Sequence, residues 1–123
     1  MAATYAAPPP LTLGQWAYQG GWNVAKQYGT TTGTDGRVSI RFKARDAHLV
    51  LGSADGKPLG FTVTLDGTAP GKDAGVDVDA AGRGSITGQR LYQLVRQRGG
   101  AAERTLTVTF DRPGAQAYAF TFG

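Results

Sequence analysis

Apolar side chains recur at every second position over long stretches of this chain. In RVSIRFKAR, residues 37–45, Val38, Ile40, Phe42 and Ala44 alternate with Arg37, Ser39, Arg41, Lys43 and Arg45, which is the period of a half-buried β-strand and not the 3.6 of a helix. Phe61, Val63 and Leu65 alternate with Thr62, Thr64 and Asp66, and Leu106, Val108 and Phe110 alternate with Thr105, Thr107 and Thr109. The last run sets Tyr118, Phe120 and Phe122 against Ala117, Ala119 and Thr121. Shorter strands are expected at 15–19, 22–27, 47–51, 75–78 and 91–97. No segment has the spacing of an amphipathic helix.

Turn chemistry separates these runs. TDGR, SADGKP, LDGTAPG, AAGRG, RQRGGAA and DRPGA supply the positive-φ and fixed-φ residues that chain reversals need. Roughly seven to nine strands follow, each with one apolar face that must be buried against a second layer. The expected fold is therefore all-β: a two-sheet antiparallel β-sandwich, with jelly-roll topology preferred and an immunoglobulin-like sandwich as the alternative. Val38, Ile40, Phe42, Phe61, Val63, Leu65, Leu106, Val108, Phe110, Phe120 and Phe122 are expected to face inward.

A chain of 123 residues is one domain's worth. Residues 11–123 form the expected sandwich. Residues 1–10, running through Pro8, Pro9 and Pro10, read as a linker in polyproline geometry, the tail of something longer. The absence of cysteine excludes disulfides, thiolate metal sites and thiol redox chemistry carried by this chain. No apolar stretch approaches the ~20 residues that span a bilayer, and the start lacks a signal-peptide pattern, so direct membrane insertion is not expected. The net charge of +4 is spread along the sequence. Arg37, Arg41, Lys43 and Arg45 form an outward basic ladder, which either meets an anionic partner or keeps a solvated strand from pairing at its edge. Without interleaved aromatics it is not a nucleic-acid surface.

Catalytic chemistry is sparse. The single histidine, His48 in AHLVL, reads as a strand residue and not as a general base. DVDAAGRGSITG opens like a calcium loop with Asp77, Asp79 and Gly82, but has Ala81 at the fifth position and Gly88 where a bidentate Glu belongs. What survives is a looser calcium alternative of Asp73, Asp77 and Asp79 with backbone carbonyls, against an ordinary acidic turn. No cofactor is called for, and a glycosidase pair of opposed carboxylates is not expected from acids that fall mostly in turns. The rings of GQWAYQGGWNV pose the main choice. Trp16 and Tyr18 share a face of one strand, and Gly20–Gly21 lets the chain turn before Trp22. Such rings build a core or floor a glycan site; in the second reading Trp16, Tyr18, Trp22 and Tyr92 present ring faces while Gln15, Asn23 and Gln93 bond hydroxyl groups.

Four ordered segments, ARDAHLVLG (44–52), GVDVD (75–79), RLYQLVRQ (90–97) and YAFTFG (118–123), together resemble the C-terminal domain of DipZ-type proteins, from about Pro10 to the last residue. The resemblance implies a parent with a membrane part for cytochrome c biogenesis, then an extracytoplasmic thioredoxin-like domain that carries the redox cysteines, then this domain. It further implies a likeness to jelly-roll carbohydrate-binding modules. The function so implied is a non-catalytic domain of the periplasm or cell envelope that binds glycan weakly through rings and amides. The alternative is a structural interaction domain that packs on and positions the upstream thioredoxin-like domain or its protein substrates.

Overall fold

The computed structural model describes all 123 residues. Ten strands form: β1 (Ala2–Tyr5), β2 (Trp16–Val24), β3 (Gly29–Thr31), β4 (Arg37–Ala44), β5 (Asp46–Ser53), β6 (Leu59–Leu65), β7 (Arg83–Ile86), β8 (Arg90–Arg96), β9 (Ala102–Phe110) and β10 (Ala115–Phe122). A single 3₁₀ turn at Gly71–Asp73 is the one helical element. Every ladder is antiparallel, as the alternation implies.

The strands follow one path, β7–β6–β9–β4–β2–β3–β10–β5–β8, with β1 added on β2. In place of the two separate jelly-roll sheets expected, one continuous sheet curls into a half-barrel. The cause lies in β2. Its first half, Trp16 to Gln19, pairs with β4, and from Gly20 onward it pairs with β1 and β3. Gly20 holds a φ of 86°, open to glycine and strained for residues with a Cβ. The Gly20–Gly21 step therefore bends a strand that serves both halves, where the sequence suggested a turn between two strands.

Four segments depart from the sequence reading, the first being β7, which forms over Arg83–Ile86 where a turn and no strand was expected. Residues 2–5, expected within a linker, pair with β2 as β1, and the Met1 amino group bonds the Val24 carbonyl at 2.9 Å. Small side chains suffice there, because an edge strand gains main-chain bonds without needing a core face. The GTT of β3 lies where no alternation was visible. Residues 75–78 are not a strand but a loop laid along β8, with the Gly75 N–H donating to the Leu94 carbonyl at 3.0 Å.

The core is the one the alternation predicts. Val38, Ile40, Phe42, Phe61, Val63, Leu65, Leu106, Val108 and Phe110 are all buried, and β5 and β8 contribute Leu49, Leu51, Tyr92 and Leu94. Curling brings the two ends of the path together: Phe61 of β6 meets Tyr92 of β8 edge-on at 6.2 Å. Trp22 meets Phe110 in the same manner at 5.9 Å. The exceptions are Phe120, half-buried, and Phe122, 44% exposed. Both stand at the one place where the curled sheet does not cover its own inner face.

Candidate functional site

The uncovered place is a seam between β2 and β10. β3 is only three residues long, and its ladder with β10 covers Gln116 and Ala117 alone. Beyond Ala117, β10 pairs with β5 on one side, through a register shift between Ala117 and Phe120, and with nothing on the other. Gly29 pairs with both Ala117 and Val24, so β10 beyond Ala117 runs past the β2–β3 turn, where Tyr28 packs on Tyr118 at 4.8 Å, and away from the Trp16 end of β2 along the sheet. Facing halves of the curled sheet flank a cleft of about 270 Å³, lined from β2 by Trp16 and Tyr18, from β4 by Val38 and Ile40, from β5 by Leu49, and from β10 by residues 117–120 and Phe122. All ten lining side chains are hydrophobic.

Ring packing shapes its walls. Trp16 stands edge-on to Tyr18 at 5.0 Å and is 52% exposed. Tyr18 stacks obliquely toward Trp22 at 4.4 Å and toward Tyr5 at 5.8 Å. Burial, and then the neighbouring Tyr5, push the Tyr18 hydroxyl above its ordinary value, so it stays neutral. On the opposite wall Phe122 stacks on Phe42 at 5.6 Å and lies parallel to Phe120 at 6.5 Å. The cleft is a mouth of the core: inward-facing rings reach solvent because no strand lies over them.

The sequence-predicted ligand set separates here. Trp16 and Tyr18 belong to the seam. Trp22 and Tyr92 do not, which corrects the expectation that they could floor a sugar site: both are fully buried, and each is satisfied from within. The Trp22 Nε1–H donates to the Gln19 carbonyl at 3.0 Å. The Tyr92 hydroxyl donates to the Gly88 carbonyl at 2.7 Å and accepts from the Thr87 N–H at 2.9 Å. The amides disperse as well. Gln15 precedes Trp16 but accepts the Thr12 N–H at 2.9 Å; Asn23 lies past the Gly20 bend, and Gln93 sits on β8 at the far end of the sheet path. Sequence reasoning missed Tyr118, Phe120 and Phe122 as site residues. The period-two pattern placed both phenylalanines inward; Phe120 is half-buried and packs against the core, whereas Phe122 is exposed at the rim.

The calcium alternative does not assemble. Asp73 accepts the Arg98 N–H at 2.9 Å, Asp77 pairs with Arg90 at 2.9 Å, and Asp79 accepts the Arg83 N–H at 2.9 Å. No three acidic or histidine side chains converge. His48 places Nδ1 3.3 Å from the Thr121 hydroxyl across the β5–β10 ladder, a strand position. The basic ladder is partly neutralised by Arg41 to Glu103 at 2.8 Å and to Asp66 at 3.1 Å, and by Arg45 to Asp46 at 2.9 Å. No helix is long and apolar enough to cross a membrane.

All 123 residues match the profile of a family described as the thioredoxin like C-terminal domain. The chain belongs to that family. It is a non-catalytic accessory domain, and without cysteine it has no thiol redox activity of its own. It is also similar to Protein DipZ of Mycobacterium bovis and Protein DipZ of Mycobacterium tuberculosis, at 27% identity over 125 residues in each case. Those alignments take in 99% of this chain and 15% of each relative. This thioredoxin-like C-terminal domain thus spans about 15% of the length of the curated relatives it matches.

Proposed function

We propose that the chain serves a membrane-anchored, extracytoplasmic thiol-disulfide protein of the DipZ type as its accessory docking domain. It holds polypeptide in the β2/β10 seam and so positions the thioredoxin-like domain or that domain's protein substrates. The observation that carries this reading is the all-hydrophobic lining of the seam. Apolar surface gains from leaving water against another apolar surface, at roughly 25 cal/mol per Å². Sugar hydroxyls entering the same cleft would lose water and find only the Tyr18 and Tyr118 hydroxyls as bonding partners among its side chains.

Glycan binding keeps one supporting observation, the exposed ring of Trp16 beside Gln15. The two readings are separated by tryptophan emission, since Trp16 is exposed and Trp22 is buried. The chain is titrated with the thioredoxin-like domain of a DipZ-type parent, with a reduced and alkylated protein held unfolded, and with a panel of oligosaccharides. A shift with at least one of the polypeptides, none with the oligosaccharides, and its loss in Trp16→Ala is the expected result. A response to oligosaccharides alone would replace the docking reading, and silence toward every polypeptide would end it.

A further inference from the structure

We infer that the cleft is an anchor pocket for one apolar aromatic side chain of a partner polypeptide, whose main chain stays outside the mouth. The inference rests on the docking reading above and narrows it to what enters the cleft. Three observations define that occupant.

The first is the direction of the polar groups. In a strand the N–H and C=O groups lie along the sheet, and the side chains stand out from it. The cleft lies between facing halves of the curled sheet, so its walls present side chains. The main chains of those walls are already bonded: β4 to β2 and β9, and β5 to β10 and β8. A main chain pushed into the cleft would bring N–H and C=O groups out of water with only two tyrosine hydroxyls to receive them. Of these, the Tyr118 hydroxyl already donates to Gln89 at 3.2 Å. An apolar side chain brings no polar group with it.

The second is the lining. Trp16, Tyr18, Tyr118, Phe120 and Phe122 are five of its ten residues. Ring faces and edges attract a further ring beyond the area it buries, as Trp16 already packs edge-on to Tyr18 at 5.0 Å. No ionisable group other than tyrosine is present, so a charged side chain would shed water without gaining a counter-charge. A cavity of ~150 Å³ holds a benzene molecule, so about 270 Å³ takes one ring with its methylene and not two. The third is the mouth. The exposed rings of the molecule are Tyr5, Trp16 and Phe122. Trp16 and Phe122 line the cleft, and Tyr5 packs on Tyr18 at 5.8 Å. Every exposed ring thus gathers at one opening, the arrangement of an interface centre in which an aromatic anchor seats in a pocket and the contacts around it exclude water.

The test is an NMR titration of the whole 123-residue chain with short glycine–serine peptides that carry one central phenylalanine, leucine, alanine or aspartate. The phenylalanine peptide should shift the signals of Val38, Ile40 and Leu49, the buried part of the lining. Leucine should weaken binding by about threefold or more, and alanine or aspartate should abolish it. N-methylation of the phenylalanine peptide throughout should leave its affinity within about twofold, because its main chain stays in water. Ala119→Trp, at an exposed position of the lining, should block the mouth, and Trp16→Ala should weaken binding by about threefold or more, each checked for an intact thermal transition. Equal binding of the leucine peptide, undiminished binding to Ala119→Trp, or a loss of about tenfold on N-methylation would overturn the anchor. Binding of the parent's thioredoxin-like domain or of a reduced and alkylated unfolded protein, with no response to the phenylalanine peptide, would overturn it while leaving the docking reading. If no polypeptide binds, both fall.

Discussion

Along the outer edge of β8 the loop from Ala74 to Asp77 lies in hydrogen-bonding contact, Gly75 to Leu94 and Asp77 to Gln93, while on the other side of the molecule the inner faces of β2 and β10 leave an apolar cleft open. On the shielded side Tyr92 and Phe61 meet under cover and the Tyr92 hydroxyl is answered from within the chain. On the open side rings of the same kind, Trp16 and Phe122, face solvent. Composition does not separate the two flanks. Local chain length does, because seventeen residues, Asp66 to Gly82, connect β6 to β7 and lay a loop along β8, whereas β3 supplies three. Apolar rings left open to solvent are the surface that the docking reading assigns to a partner.

The largest expected difference between the flanks is in stability. Trp22→Ala removes a fully buried ring and should cost ~3–5 kcal/mol in a denaturant titration. Trp16→Ala, at the half-exposed rim, should cost about 1 kcal/mol or less. Equal losses would mean that the seam is core. A second effect belongs to the shielded side alone. A Cβ at Gly75 would run into the Gln93 carbonyl, so Gly75→Ala should destabilise by ~1–3 kcal/mol. No change on thermal melting would show that this loop does not lie tightly on β8.

The smallest effect is in acid. Backbone donation from Lys57, then Arg112 and Ser53, lower the Asp55 carboxyl from 3.8 to about 2. Arg83 lowers Asp111, and at Asp77 burial pushes upward but is outweighed by Arg90 and the Gln93 N–H. These carboxyls bind protons less readily folded than unfolded, so their contribution is present above their ordinary value and is lost as pH falls through the folded one. The thermal midpoint should hold from neutral pH to about 5 and decline between about 4 and 2. Asp77→Asn should make that decline shallower. Occupancy of the seam, which has no carboxylate in its lining, should be unchanged between pH 5 and 8.

Much of the fold was legible because alternation is a local signal. Val38, Ile40 and Phe42 on β4, and Leu106, Val108 and Phe110 on β9, are inward as their spacing requires. The joining of the two halves was not legible: it depends on one strand, β2, changing partners at Gly20, and a glycine pair reads equally as a turn. β3 was invisible because a three-residue strand gives alternation nothing to repeat. The site was half legible. Trp16 and Tyr18 were singled out by their spacing, but whether a ring is core or rim is decided by what lies across from it. Trp22 has Phe110 opposite and is closed in; Trp16 faces a gap.

Amide hydrogen exchange, followed residue by residue, tests the cleft most directly. In the free chain Gln93, bonded to Asp77, should exchange slowly. With the parent's thioredoxin-like domain or a reduced and alkylated unfolded protein at saturation, the amides of Trp16, Tyr18, Phe120 and Phe122, which line the cleft, should slow by about tenfold or more and Gln93 should be unchanged. No change at the cleft with either polypeptide would contradict a docking surface there.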